Sequence, residues 1–322
     1  MRRALACLAF VLLPATGWAE DAQRFASFFL ENDFFAGTDR HYTNGLQVAF
    51  VTPLDSLPQG VRNLPPFDRS AEKDVVLAFG QRIYTPANTQ DTVPDPRDRP
   101  YAGWLYGLAD VQVRNDETLD HVTLTLGVVG PAALARQTQD VFHHVTGTRR
   151  VDGWNAQLRN EPAVTVAFER AWPAVASGRL GGLRHDLAVR SGATLGNVIT
   201  YANVGTVWRA GTVLPADLPA TQISLGPPRD GFRGAPANGW YAWGGADARA
   251  VARNIFLDGN SFRDGPSVKR KVGGHDLQVG IAAIWTTMRL SFTLVQRGRE
   301  FEGQRSPDRF GQLALSLPYQ TR

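Results

Sequence analysis

The sequence predicts an all-β fold, a transmembrane antiparallel β-barrel of about twelve strands with a short helix in an extracellular loop. Apolar residues alternate with polar or small residues along most of the chain, as in strands that present one face to each side of a sheet. Many alternating segments are about as long as a tilted strand needs to cross a bilayer. No segment after the N-terminus has the roughly 18 consecutive apolar residues of a membrane-spanning helix.

Residues 1–19 are predicted to be a signal peptide. Two arginines precede an apolar run at 4–14 that is too short to span a bilayer, and Ala19 is a small residue where signal peptidase would cut. An uncleaved anchor helix is the alternative. Cleavage removes Cys7, the only cysteine, so we expect no disulfide and no thiolate chemistry. Residues 20–322 then form a single barrel domain.

The charge of the chain argues against nucleic acid as a partner. Losing Arg2 and Arg3 with the signal peptide lowers the formal net charge from +4 to +2. This is not the basic excess of a nucleic-acid-binding protein. Export and a barrel pattern instead predict a monomer in the outer membrane of a Gram-negative cell, with membrane lipids as its neighbours.

Twelve alternating segments are predicted as strands. In the fourth, Trp104 and Tyr106 alternate with Gly103 and Gly107, and we interpret small residues as facing the lumen and aromatic residues as facing lipid. A soluble β-sandwich explains the alternation equally well. It explains less well an even number of long hairpins without a linker. The predicted strands are 23–33, 43–52, 73–85, 102–114, 119–129, 161–172, 182–195, 202–213, 239–253, 275–285, 287–300 and 309–319.

Strand parity predicts which connections are extracellular. With both termini in the periplasm, the connections after odd-numbered strands face outward, and these are mostly the long ones, as expected. The main outward connections are 34–42, 86–101, 130–160 and 254–274. Two connections do not fit, because 53–72 and 214–238 are long and rich in proline and glycine where short periplasmic turns are expected.

The first outward connection carries clustered oxygen atoms. Asn32 and Asp33 precede it, and Thr43 follows it. Carboxylate, amide and hydroxyl oxygens suit a hard cation such as Ca²⁺. The spacing is not that of an EF-hand, and from the spacing alone capping of the strand end by asparagine and aspartate is the favoured explanation.

The third outward connection contains a predicted helix over 132–146, ended by Gly147. Gln139 and His143 are four residues apart and therefore share a face, whereas His144 lies roughly opposite. Histidine is the natural general base near neutral pH. The alternative is a solvated histidine pair on a surface helix.

An ordered set of motifs makes the chain resemble the outer-membrane lipid A 3′-O-deacylase family. No single motif is specific, but their order is kept over nearly the whole mature chain. The motifs are Glu31-Asn32-Asp33, Tyr42-Thr43-Asn44-Gly45, Asp98-Arg99-Pro100-Tyr101-Ala102-Gly103-Trp104, Gly130-Pro131 with Gln139, His143 and Gly147, Gly153-Trp154, Asn160-Glu161-Pro162, and Arg299-Glu300-Phe301-Glu302-Gly303-Gln304.

The resemblance implies a twelve-stranded barrel with a calcium-dependent site facing the outer leaflet. It assigns Asn32 and Asp33 to the metal and Thr43, Gln139 and His143 to catalysis. It also implies lipid A, or lipopolysaccharide, as the substrate, from which 3′-linked acyloxyacyl chains are removed. The chain lacks the acidic residue that some members have shortly after the helix, where it has Arg149 and Arg150, and the basic pair that some have early in the second outer loop.

We therefore predict a histidine-based, calcium-assisted ester hydrolase whose site lies on the outer barrel wall. His143 takes a proton from water with help from Gln139, and Thr43 orients rather than attacks, because no second base neighbours it in sequence. The alternatives are a non-enzymatic barrel, either a narrow pore or a structural protein, and an outer-membrane phospholipase. Basic loop residues are candidates for holding lipid A phosphates. They are Arg149, Arg150, Lys269, Arg270 and Lys271.

Overall fold

The chain forms a closed barrel in which each of twelve antiparallel strands pairs with the next and the last pairs with the first. This computed structural model describes residues 24–37, 41–56, 71–147, 151–219, 225–228 and 231–319. The predicted fold class and strand number are confirmed. The strands are β1 Phe25–Asn32, β2 His41–Pro53, β3 Glu72–Thr85, β4 Ala102–Arg114, β5 Leu119–Val129, β6 Glu161–Leu180, β7 Leu183–Gly196, β8 Ile199–Gly211, β9 Gly239–Asn254, β10 Gly273–Trp285, β11 Met288–Arg297 and β12 Asp308–Pro318.

Most strands begin and end within a few residues of the predicted bounds, and β6 is the main exception. It continues to Leu180, eight residues past the predicted end, after a bulge between Trp172 and Ala176. Gly181 and Gly182 then turn the chain, both with positive φ. Two consecutive left-handed residues give the tight hairpin turn whose twist matches that of the strands. Most of the segment 173–181, predicted as a short periplasmic connection, is therefore strand. The predicted signal peptide lies outside the described residues.

The assignment of faces from the sequence was right for one strand and wrong for two. On β8 the glycines face the lumen and Trp208 faces outward, as predicted. On β4 and β9, however, the aromatic residues are buried inside the barrel and the small residues point outward. The inward aromatic residues are Trp104, Tyr106, Tyr241 and Trp243. Alternation separates the two faces of a strand but does not say which one is inside, and here large rings fill the lumen.

The long connection between β8 and β9 folds back into the barrel. Arg82, which faces the lumen from β3, donates 2.7 Å hydrogen bonds to the carbonyl oxygens of Leu225 and Gly226. Asp217 accepts a 2.6 Å hydrogen bond from Arg289 of β11. This segment is long because it enters the lumen from the periplasmic side instead of making a turn, and it reaches Arg82 near the extracellular end of β3. Residues 57–70 of the other long connection lie outside the described ranges.

The extracellular part of the lumen is closed as well. The connection after β9 begins with a single helical turn, Ile255–Asp258. Phe256 is fully buried and stacks on Tyr84 at 4.1 Å between ring centroids. Ion pairs link inward-facing side chains of neighbouring strands. One joins Arg249 of β9 to Asp276 of β10 at 2.7 Å. The described lumen is thus packed from both ends.

The predicted loop helix is present and starts later than expected. A 3-10 turn spans Pro131–Ala133, Leu134 takes a left-handed conformation with φ 58°, and helix α1 then runs from Ala135 to Thr146. Gly147 ends it with φ 71°, as glycine commonly does at a helix C-terminus. No helix of the described residues is long and apolar enough to cross a membrane.

Candidate active site on the outer barrel wall

Helix α1 lies against the outside of the barrel, over β3 and β4. Gly103 of β4 points outward, and a Cβ atom there would lie 2.4 Å from the Cβ of Ala135. Gln81 of β3 donates a 2.6 Å hydrogen bond to the carbonyl oxygen of Ala133. The absence of a side chain at Gly103 therefore lets the helix approach the wall. A small apolar cluster completes the contact; it consists of Ile83, Tyr101, Ala135, Val151 and Trp154.

The wall-facing side of α1 carries the two predicted catalytic residues. Ala135, Gln139 and His143 follow one another at four-residue spacing and are all buried, with His143 only 6% exposed. His144 is exposed. The structure therefore places Gln139 and His143 together between the helix and the wall and directs His144 away from it.

Trp154 fixes the orientation of the Gln139 amide. Its indole Nε1 donates a 2.8 Å hydrogen bond to Gln139 Oε1. An indole nitrogen can only donate, so the amide oxygen must be the atom that faces it. The Nε2 atom of Gln139 is then buried with no hydrogen-bond partner among the described residues. Such a group is costly unless a substrate or water completes it, so this side of the helix is a candidate binding site.

Replacing Trp154 with phenylalanine is expected to lower activity by about tenfold while the barrel stays folded. The phenyl ring keeps the ring contact with Tyr101 but leaves Gln139 Oε1 without its donor, a loss of about 1–3 kcal/mol for a buried acceptor. Steady-state hydrolysis rates would be compared with those of Trp240→Phe, which changes an exposed tryptophan on β9. Equal activity of both variants would show that this hydrogen bond does not matter.

A β-bulge brings two consecutive polar residues to the outer wall. The register between β2 and β3 shifts between Tyr42 and Asn44, so Thr43 is an extra residue. The Oγ1 atom of Thr43 lies 2.8 Å from that of Thr85 on the outer face of β3, and Asn44 pairs with outward-facing Ile83. A bulge of this kind re-aims side chains, and here Thr43 and Asn44 both face outward.

The outward positions form a continuous row across adjacent strands. Gly311 pairs with Asn32, Asn32 with Asn44, Asn44 with Ile83, and Ile83 with Gly103. Since neighbouring strands are about 4.8 Å apart, three strand spacings, or about 14 Å, separate Asn32 from Gly103 under α1. The two predicted halves of the site therefore lie on the same side of the barrel and at the same level.

The predicted metal residues stand at one end of this row, where β1 passes into the 3-10 turn Asp33–Ala36. Asn32 Oδ1 caps that turn by accepting a 2.8 Å hydrogen bond from the Phe34 amide, so the capping role is real. Asp33 is buried, and Asn44 Oδ1 is buried without a hydrogen-bond partner in the described part of the chain. One carboxylate and two amide oxygens are ligand types that Ca²⁺ accepts. Within the described ranges, no three His, Cys, Asp or Glu side chains form a metal-binding group.

His41 was not singled out by the sequence, yet it joins three loops beside this row. Its ring nitrogens lie 2.7 Å from Asp308 and 3.1 Å from Asp98. Burial alone would raise the pKa of Asp98, but hydrogen bonds from His41 and from the Ala87 amide lower it below its ordinary value. The residue precedes the Tyr42-Thr43-Asn44-Gly45 motif, which was the only available signal.

Two of the basic residues suggested for phosphate binding have other partners. Arg270 pairs with Asp258 at 3.1 Å and also donates to the backbone of β9. Lys269 forms an exposed 2.8 Å ion pair with Glu302. Arg149 and Arg150 lie outside the described residues.

Replacing Gly103 with leucine is expected to displace α1 and to lower activity by at least the effect of Trp154→Phe. The new side chain would occupy the space of Ala135, and a packed contact of this kind does not yield without movement. Gly107→Leu is the matched control, because it also faces outward from β4 but meets only the Ala78 carbonyl oxygen at 3.8 Å. Both activity and heat-modifiable gel migration would be measured. Equal activity of the two variants would contradict a requirement for close helix packing.

Comparison with known proteins places the chain in a family. A family model described as outer membrane protein LpxR matches residues 4–319. The solved structure of LpxR from Salmonella typhimurium is similar, with a TM-score of 0.75 and 16% identity, over 92% of this chain and 100% of that one. The β domain of the Bordetella autotransporter BrkA has a TM-score of 0.43 and 10% identity, over 92% of this chain and 98% of that one.

A comparison with curated proteins gives no match. The family model nevertheless spans nearly the whole chain, and the similar Salmonella structure has the same barrel fold. The chain therefore belongs to the LpxR family of outer membrane proteins.

Proposed function

We propose that the protein hydrolyses an ester of lipid A and removes its 3′-linked acyl or acyloxyacyl chains. The observation that carries this proposal is the buried Gln139–His143 pair, pressed between α1 and the outer wall of the barrel. A site on the outer wall is reached from the lipid side, where the esters of a membrane lipid lie. Family membership supports the same substrate.

His143 is the general base in this proposal. Trp154 holds the amide oxygen of Gln139, and the Nε2 atom has no partner among the described residues. That Nε2 group donates a hydrogen bond to the attacking water. That water keeps both of its protons available, and it donates one to His143 as its oxygen attacks the ester carbonyl. The four-residue spacing places the two side chains about 5–6 Å apart at Cβ, close enough for one water to bridge them.

Asn32, Asp33 and Asn44 are proposed to hold a Ca²⁺ ion. When bound, the ion would supply positive charge that polarises the ester carbonyl and stabilises the developing oxyanion. The unpaired Asn44 oxygen supports this, because a buried amide oxygen without a donor is unfavourable in the absence of a ligand.

Thr43 is proposed to orient the substrate and not to attack it. Its hydroxyl is held by the Thr85 hydroxyl at 2.8 Å, and a hydroxyl is not a base that could activate it. The pair instead offers a hydrogen-bond donor to an oxygen of the lipid beside Asn44.

The pore alternative is disfavoured by the packed lumen. The segment 225–228 accepts hydrogen bonds from the inward-facing side chains of Gln47 and Arg82 inside the barrel, and Phe256 fills the extracellular end. A phospholipase remains an enzymatic alternative that the same site geometry supports, since phospholipids carry similar esters.

Mass spectrometry of lipid A separates these functions. Cells expressing the protein are expected to show lipid A lighter by one acyl or acyloxyacyl group than cells expressing His143→Ala. Unchanged lipid A together with new lysophospholipid would replace the deacylase proposal with the phospholipase. If neither lipid A nor phospholipid changes, the non-enzymatic barrel is favoured.

A further inference from the structure

Helix α1 has an exposed apolar side that the packing on the barrel leaves uncovered. Val141 is 65% exposed, Val145 is 64% exposed, and Leu134 just before the helix is 51% exposed. Phe142 adds a fourth exposed side chain. For a loop in water this is an unusual concentration of apolar surface.

The helix carries three distinct stripes around its axis. At about 100° per residue, Val141 and Val145 are centred about 140° from the wall-facing stripe of Ala135, Gln139 and His143. Arg136, Asp140 and His144 form a polar stripe on the other flank, about 100° from the wall-facing one. The three stripes therefore suit three different surroundings, which are the barrel wall, an apolar medium and water.

The apolar stripe continues the lipid-facing surface of the barrel. The wall beneath α1 is formed by Ile83 and Gly103, and on the same outer face of β3 Phe79 and Leu77 are exposed. Four residues of strand separate Ile83 from Phe79, which is about 13 Å. The apolar flank of α1 therefore lies next to the exposed apolar surface of the barrel wall.

We propose that α1 is an interfacial membrane helix whose Val141–Val145 flank is immersed in the acyl region of the outer leaflet. Its Arg136–Asp140–His144 flank faces water. An amphipathic helix lying in the membrane plane buries its apolar face by several ångströms, and this fixes the depth of everything attached to it. His143 lies between the wall and the polar stripe, so water reaches it from one flank while lipid lies at the other.

The proposal is tested with environment-sensitive fluorophores on single cysteines in Cys7→Ala protein. Val141→Cys and Val145→Cys are labelled with nitrobenzoxadiazole and reconstituted in phosphatidylethanolamine–phosphatidylglycerol vesicles, with and without brominated acyl chains. Leu126→Cys, exposed on the outer face of the barrel, is the immersed control, and His144→Cys, exposed on the polar flank of α1, is the aqueous control. Heat-modifiable migration verifies folding of each variant.

Labels at 141 and 145 are expected to be quenched by brominated lipid as strongly as the label at 126, and to resist aqueous iodide. The label at 144 is expected to show the opposite pattern. Iodide quenching at 141 and 145 equal to that at 144 would overturn the proposal. Protection from both quenchers would also overturn it, because a protein surface would then cover the flank. No step of this experiment measures hydrolysis, so its outcome is independent of the proposed activity.

Discussion

Replacing His143 with alanine is expected to lower the rate of ester hydrolysis by about 10²–10⁴-fold, the usual contribution of a positioned general base. The residue lies on a loop helix and not on a barrel strand, so the fold should persist. The measurement is the initial rate of acyl release from purified lipid A in detergent, with folding checked by heat-modifiable migration.

His144→Ala is the matched control for this variant. It is the same residue type on the same helix, but its side chain is exposed on the polar flank, and its loss should change the rate little. An inactive His144→Ala together with an active His143→Ala would show that the general base is on the polar flank of the helix and not on its wall-facing side. Full activity of both would remove this helix from the chemistry.

Chelation of divalent cations is expected to lower hydrolysis by about 10²-fold or more, and Ca²⁺ is expected to restore it. A cation that stabilises the oxyanion contributes several kcal/mol to the barrier, and each 1.36 kcal/mol corresponds to about tenfold in rate. Full activity after exhaustive chelation would exclude a metal from the reaction.

Asp33→Ala tests where that cation binds. It should reduce the rate nearly as far as chelation does, with partial recovery at high Ca²⁺, because Asp33 would be the one carboxylate among the proposed ligands. Asn44→Ala should raise the Ca²⁺ concentration needed for half-maximal activity, since its buried amide oxygen has no other partner in the described residues. Asp264→Ala, exposed between β9 and β10, is the control. A normal Ca²⁺ requirement in both Asp33→Ala and Asn44→Ala would show that these two residues do not bind the metal.

The strand number and the loop helix could be predicted from the sequence. A barrel strand must alternate and must have a length set by the bilayer, and both constraints act on neighbouring residues. The pairing of Gln139 with His143 was also local, because residues four apart share a helix face whatever surrounds the helix.

Which face of a strand lies inside was decided only by the closed barrel. Trp104 and Tyr241 look like lipid-facing aromatic residues in sequence, yet they fill the lumen. The long 214–238 connection likewise has no local pattern that reveals a return into the barrel. Its contacts with Arg82 and Gln47 join residues more than 140 positions apart.

The candidate site follows the same division. The sequence by itself determined which residue types are present and, through the helical period, that Gln139 and His143 lie on one side of α1. Only the tertiary structure decided that Asn32, Asn44, Ile83 and Gly103 form one outward row, because register between strands is set by hydrogen bonds across the sheet. It also decided that a missing side chain at Gly103 brings α1 onto the wall, since that contact depends on two segments that approach only after the barrel has closed.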